Sequence, residues 1–192
     1  MTYDKMLCRI SGEISNISLE YKRKGENFYS FLISSKRLSG VVDTIPCIAP
    51  ESVLNAKENE MVSVSGIIRS RMSGDRLHVY LFAEKMSETK RYENRVVTDG
   101  TFCRLLGERP LGKGRKLACF MLAVDRGFKE AYIPCIIWGR NAERYKTLPK
   151  GTKVRLEGRF QSRDFMFHDE PRTAYEVSIS SMEELKGDCN ED

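Results

Sequence analysis

The chain is poor in the residues that usually carry catalysis or bind metals. Only two of its 192 residues are histidine, His78 and His168, and none of its six cysteines forms a CxxC pair. Metal-ligand spacing is therefore missing, and no Ser/His/Asp or Cys/His set can be built from two scattered histidines. The expectation is a protein with no metal, no cofactor and no enzymatic activity. No window approaches 18 uncharged apolar residues, and the opening MTYDKMLCRIS carries an acid and lacks the apolar core of a signal peptide. A cytoplasmic location is expected. The segment GERPLGKG (107–114) matches GxxxxGK, but Gly114 stands where Ser or Thr is needed and the segment leads into a strand. No phosphate-cradling loop is expected there.

The remaining composition is that of an ordinary soluble globular protein, with 41% hydrophobic and 31% charged residues. A chain of this length accommodates one large domain or two small ones. Cys8, Cys47, Cys103, Cys119 and Cys135 lie inside apolar runs, where a reduced cysteine packs as a small hydrophobe. The net charge of +5 is unevenly spread, because residues 183–192 (EELKGDCNED) hold five acids and one lysine. A basic body with an acidic end is compatible with a polyanionic partner, although weakly diagnostic alone.

The chain repeats itself. CRISGE (8–13) returns as CRLLGE (103–108), FLISSKR (31–37) as FMLAVDR (120–126), IPCI (45–48) as IPCI (133–136), and VSVSGIIRSR (62–71) as VRLEGRFQSR (154–163). Four blocks in the same order identify two copies of one domain, each near 90 residues. Alternating apolar residues in VSVSGII, VRLEGRF and LACFMLAV mark strands. Ala142, Tyr145 and Leu148 have helical spacing and are followed by Pro149 and Gly151, and PESVLNAKENE (50–60) offers the same short helix in the first copy. RMSGDRLHVY (71–80) and FMFHDEPRTAY (165–175) read as hairpins. Three strands, a helix and two strands is the layout of an OB-fold. The expected architecture is all-β, with two tandem five-stranded Greek-key barrels at 1–88 and 100–182. A linker is expected at 89–99 and a short acidic tail at 183–192.

Side chains on a strand alternate faces, so Tyr132, Pro134, Ile136 and Trp138 share one face and Ile133, Cys135 and Ile137 the other. In the next strand Val154, Leu156, Gly158 and Phe160 point one way, as a barrel interior requires. Arg155, Arg159, Arg163, Phe165 and Phe167 share the opposite parity and interleave cations with rings. Exposed rings stack on the faces of unpaired bases at about 1–3 kcal/mol each, while arginines neutralise phosphates. Duplexes hide those base faces, so such a surface selects single strands without reading their sequence. At an offset of 89, Phe128, Tyr132 and Trp138 lie over Ser39, Asp43 and Ala49, and Phe165 lies over Met72 or Ser73. Rings needed only to complete the fold should occur in both copies, so their restriction to one points to function. Trp138, the only tryptophan, could still brace the following helix instead. Lys113, Arg115 and Lys116 read as a basic hairpin tip, and Arg126 is a further candidate for contact with the nucleic acid.

The second copy resembles the bacterial single-stranded DNA-binding protein family. The likeness runs from about Gly100 to Met182 through GTFCRLLGERP, FMLAVDRGFK, YIPCIIWGRNAERYKTLPKGTKVRLEGRFQSRDF and TAYEVSI. It implies an OB-fold that binds single-stranded DNA in replication, recombination or repair, close to the nucleoid. It also implies base-stacking roles for Phe128, Tyr132, Trp138 and Phe165. The first copy resembles the family only through the repeat, which suits a scaffold or dimerisation role. Family members usually carry one fold per chain and assemble as tetramers, so a homodimer of this chain would supply four folds. The tail ends GDCNED without the hydrophobic pair that recruits replication and repair proteins in the family. An adaptor acting mainly through protein contacts is the alternative expectation, and RNA is a possible competitor for the same platform.

Overall fold

The structure is a computed structural model that describes residues 5–111, 115–125, 129–145 and 147–185. Ten strands and one short helix are formed among the described residues. In the first half these are β1 (Met6–Arg23), β2 (Glu26–Lys36), β3 (Val42–Pro50), β4 (Met61–Ser73) and β5 (Arg76–Glu88). In the second half they are β6 (Glu93–Leu111), β7 (Arg115–Asp125), β8 (Glu130–Trp138), α1 (Arg140–Tyr145), β9 (Lys153–Phe167) and β10 (Glu170–Glu184).

Each half closes on itself. β1, β2, β3, β5 and β4 are hydrogen-bonded in that order, and β1 pairs with both β2 and β4 to shut the first barrel. β6, β7, β8, β10 and β9 repeat the arrangement, with β6 pairing with both β7 and β9. Neighbours are antiparallel except β3 with β5 and β8 with β10, which run parallel. This is the expected five-strand OB topology, written twice.

The period-two pattern explains the cores. Ile45, Cys47 and Ala49 of β3 and Ile133, Cys135 and Ile137 of β8 point inward and are buried. Val154, Leu156 and Phe160 of β9 do the same. The glycines of the VxVSG and VRLEG blocks have a steric reason. A Cβ on Gly66 would sit 2.0 Å from the Phe82 carbonyl oxygen, and one on Gly158 2.3 Å from that of Ser178. Only glycine lets the strands approach so closely at these bends.

The predicted helix of the second copy forms, burying Ala142 and Tyr145 with Leu148 beyond its end. The Tyr145 hydroxyl donates to the Met182 carbonyl. The first copy differs: after Pro50 the chain makes a single turn, with Val53 N and Leu54 N donating to the Pro50 carbonyl at 2.9 and 3.1 Å. One turn fixes several torsions for few bonds and does not propagate without a buried face to reward it. The expected linker differs as well. Residues 93–99 belong to β6, where Val96 and Thr98 are buried and Met6–Ser11 of β1 pairs with Thr98–Glu93. Polar residues masked this strand because its outer face is solvated.

The antiparallel β1–β6 seam sets the barrels back to back, and the contacts on its two sides mirror one another. Ser162 Oγ of β9 accepts from Thr44 N of β3 at 3.0 Å. Its counterpart in the repeat, Ser70 of β4, accepts from Tyr132 N of β8 at 2.8 Å. Each barrel's long fourth strand thus reaches over the third strand of the other. The IPCI match sets the equivalence along the third strands at 88 residues. Thr44 and Pro50, rather than Asp43 and Ala49, are therefore the counterparts of Tyr132 and Trp138. Neither is aromatic, so the contrast between the copies stands at these two positions.

Candidate nucleic-acid interface

Of the β8 residues expected to share the outer face, Tyr132 and Trp138 near its two ends stand half in solvent, whereas Ile136 between them is buried beneath neighbouring side chains. Tyr132 is 44% exposed and Trp138 43%. The Tyr132 hydroxyl donates to Glu130 Oε2 at 2.7 Å, and this bond to the carboxylate raises its pKa. The Trp138 indole N–H donates to Ser178 Oγ of β10 at 3.1 Å. That bond ties the ring edge to the neighbouring strand and leaves much of the ring in solvent. Rings of this kind, fixed at one edge and wet on the other side, suit recognition.

The β9–β10 hairpin adds two rings, each paired with a cation. Arg163 lies over Phe165 at 5.5 Å from the ring centre, and Arg172 over Phe167 at 4.3 Å. Phe167 is exposed and also meets His168 edge-on at 4.3 Å between ring centres. Arg172 was not singled out from sequence. Its signal is the hairpin register, which sets it directly opposite Phe165.

The arginines predicted to share one open face do not. Arg155 forms a two-point ion pair with Asp99 at 2.7 and 2.9 Å, and the bond to that carboxylate holds its pKa up. Arg163 is held by Glu176, with its Nε 3.0 Å from Oε1. Arg159 is partly buried where β9 meets the first barrel. Its Nη2 donates to Gln161 Oε1 at 3.2 Å, and Arg37 donates to the same oxygen at 3.3 Å. Burial, then the neighbouring Arg37 charge, lower the Arg159 pKa. The physical reason is length: a 15-residue strand outruns its barrel, so residues of one parity pass from solvent into the seam between barrels and out again. Lys116 is exposed and paired with Glu143 at 2.8 Å, a surface contact that a phosphate can replace. Arg115 begins β7, and Lys113, Arg126 and Phe128 lie outside the described residues.

Among the described residues no group of three His, Cys, Asp or Glu side chains is arranged to hold a metal ion. No described helix is long and apolar enough to cross a membrane. Burial pushes the thiols of Cys8, Cys47 and Cys135 up, which keeps them protonated as part of the core.

Comparison with known proteins finds likenesses in sequence and in fold. Residues 93–185 match the model of the Single-strand binding protein family. The chain is 37% identical over 68 residues to Single-stranded DNA-binding protein 3 of Clostridium acetobutylicum, covering 32% of this chain and 47% of that one. It is 37% identical over 94 residues to the single-stranded DNA-binding protein of Oceanobacillus iheyensis, covering 45% and 58%. The chain thus spans about half the length of the curated relatives it matches. The fold extends further than the sequence likeness. The wild-type single-stranded DNA binding protein from Thermus aquaticus superposes with a TM-score of 0.79 at 16% identity, over 97% of this chain and 95% of that one. A deletion mutant of the same protein superposes with a TM-score of 0.78 at 17% identity over the full length of both. The chain is therefore a tandem OB-fold protein whose second barrel is similar to the single-strand binding protein family.

Proposed function

We propose that this chain binds single-stranded DNA without sequence preference, through rings on the outer face of its second barrel. The observation that carries the proposal is the pair Tyr132 and Trp138, both near half exposed at the outer face of β8 within the family-matched segment. Phe165 and Phe167, each under an arginine, extend that surface along the β9–β10 hairpin. Base faces are accessible only in unpaired strands, so the surface discriminates against duplex. Lys116, with Lys113, Arg115 and Arg126, would neutralise phosphates, and Phe128 would offer a further ring. Arg155, Arg159 and Arg163 contribute positive potential and hold the strand frame, because carboxylates or the barrel seam already engage them. A homodimer would present four barrels, and replication, recombination or repair near the nucleoid is the setting that such binding serves.

The single tryptophan makes the test direct. Titration with oligo-dT at low salt should quench Trp138 fluorescence, and matched duplex should bind far more weakly. Trp138→Ala should weaken binding by about 1–3 kcal/mol, with Phe165→Ala adding a similar loss. Equal affinity for duplex, or unchanged binding by the double variant, would overturn the assignment. Competition with RNA of the same sequence sets the polymer preference.

A further inference from the structure

The first barrel lacks rings at the positions of Tyr132 and Trp138, yet it assembles an aromatic surface from other strands. Tyr21 of β1 stacks on Phe28 of β2, with ring centres 4.7 Å apart and planes 15° from parallel. Phe28 in turn lies 6.2 Å from Phe82 of β5. Arg69 of β4 covers Phe82 at 3.5 Å, and Arg71 lies 6.0 Å from the Tyr80 ring while pairing with Glu20 at 3.0 Å. All four rings are part-exposed on the outer face, whose inward neighbours Val79, Leu81 and Ala83 fill the barrel.

The register shows where this cluster sits relative to the second barrel. Ile48 pairs with Phe82, and its repeat counterpart Ile136 pairs with Ser178, so Phe82 stands where Ser178 stands. Pro50 pairs with Phe28 as Trp138 pairs with Leu117. In the second barrel Trp138 supplies the ring on the third strand and Ser178 anchors it. In the first barrel proline occupies the third-strand position, and rings arrive from the strands on either side. The same patch of the fold is aromatic in both halves, through different residues.

Cations surround the cluster. The β1–β2 hairpin tip carries exposed Lys22, Arg23 and Lys24 next to the Tyr21–Phe28 stack. Between the barrels an open groove is lined by Arg71 and Tyr80 from the first and by Pro134, Phe165 and Tyr175 from the second. Tyr80 of the first aromatic surface and Phe165 of the second both line it.

We infer that the first barrel carries its own single-strand-binding surface, built on Tyr21, Phe28, Tyr80 and Phe82 with Arg69, Arg71 and the 22–24 tip. A strand leaving the Phe165 side of the second barrel crosses the groove onto it. This inference rests on the single-strand reading of the second barrel. The occupant is a polyanion with unpaired bases, because stacked rings under guanidinium groups beside a basic tip match base faces and phosphates together.

The test uses the full-length chain and two lengths of oligo-dT. About 12 nucleotides fit one OB-fold, and about 40 exceed the roughly 4–16 that one fold covers. The Phe82→Leu variant keeps apolar volume and removes the ring. It should bind the short oligomer and quench Trp138 as the parent does, but lose about 5- to 150-fold in affinity for the long one, the equivalent of one stacked base. A second variant, Lys22→Ser with Arg23→Ser and Lys24→Ser, changes only an exposed tip and does not threaten folding. It should lower the slope of log K against log salt by about 2 for the long oligomer alone. If both variants keep the parent's affinity and salt slope at both lengths, the first-barrel surface is overturned while the second-barrel reading stands. If the parent binds neither length, the single-strand reading falls and this inference with it.

Discussion

Replacing Asp43 by alanine tests whether a buried polar lock holds the barrels together. The Asp43 carboxylate is fully buried and accepts from Arg37 Nε at 2.6 Å and Arg37 Nη2 at 2.5 Å within its own barrel. It also accepts from Ser162 N of the other barrel at 3.1 Å. Truncation leaves the Arg37 guanidinium without its counter-charge, close to Arg159, and strips Ser162 N–H of its acceptor. Removing one partner of a buried ion pair costs about 3–5 kcal/mol. The Arg37 side chain is 24% exposed and keeps some hydration, which places the loss near the low end, about 3 kcal/mol. At about 2–4 °C per kcal/mol for a chain of this size, Tm should fall by about 6–12 °C. Arg95→Gln is the control, because Arg95 and Glu157 form a pair whose side chains are 59% and 42% exposed. That change should cost under about 1 kcal/mol. Thermal melts followed by circular dichroism, run on both variants, decide the matter. Equal small losses in the two would refute the idea of a buried lock.

Two further predictions concern the barrels themselves. Gly158→Ala should destabilise by several kcal/mol, because its Cβ would meet the Ser178 carbonyl at 2.3 Å and only a backbone shift relieves the clash. A melt within 1 °C of the parent's would show that β9 and β10 separate more easily than their register suggests. The buried thiols set a pH dependence. Burial raises the folded pKa of Cys8, Cys47 and Cys135, so their contribution is whole below about pH 8.5, the ordinary thiol value. It declines as the pH climbs beyond that, since only the unfolded chain then releases these protons. Urea unfolding at pH 7.5 and 9.5 should show the lower stability at the higher pH, and a flat or rising profile would contradict it.

Much of the fold was readable because it depends on local alternation. The inward set Ile133, Cys135 and Ile137, the interior of β9 and the 140–145 helix all follow from period and capping signals. Tyr132 and Trp138 were also correctly placed outward, since parity alone fixes a strand's two faces. The fate of the arginines was not readable. Arg155, Arg159 and Arg163 share a parity, yet they meet Asp99, the barrel seam and Glu176 in turn. Parity says which side of a strand a residue leaves from and nothing about what covers that side. The aromatic surface of the first barrel escaped a position-by-position comparison for a related reason: its rings come from three strands, and none occupies a position that is aromatic in the second copy.

The sequence by itself determined that the chain holds two copies of one barrel, where most strands run and which residues fill each core. These are consequences of hydrophobic period and repeat order, which act within a few residues. The tertiary structure decided that residues 93–99 form a strand shared across the seam, that the fourth strands cross onto opposite barrels, and which charges remain open to solvent. Those outcomes depend on pairings between segments 62 to 118 residues apart, where backbone hydrogen bonds and buried ion pairs select partners that no local pattern specifies.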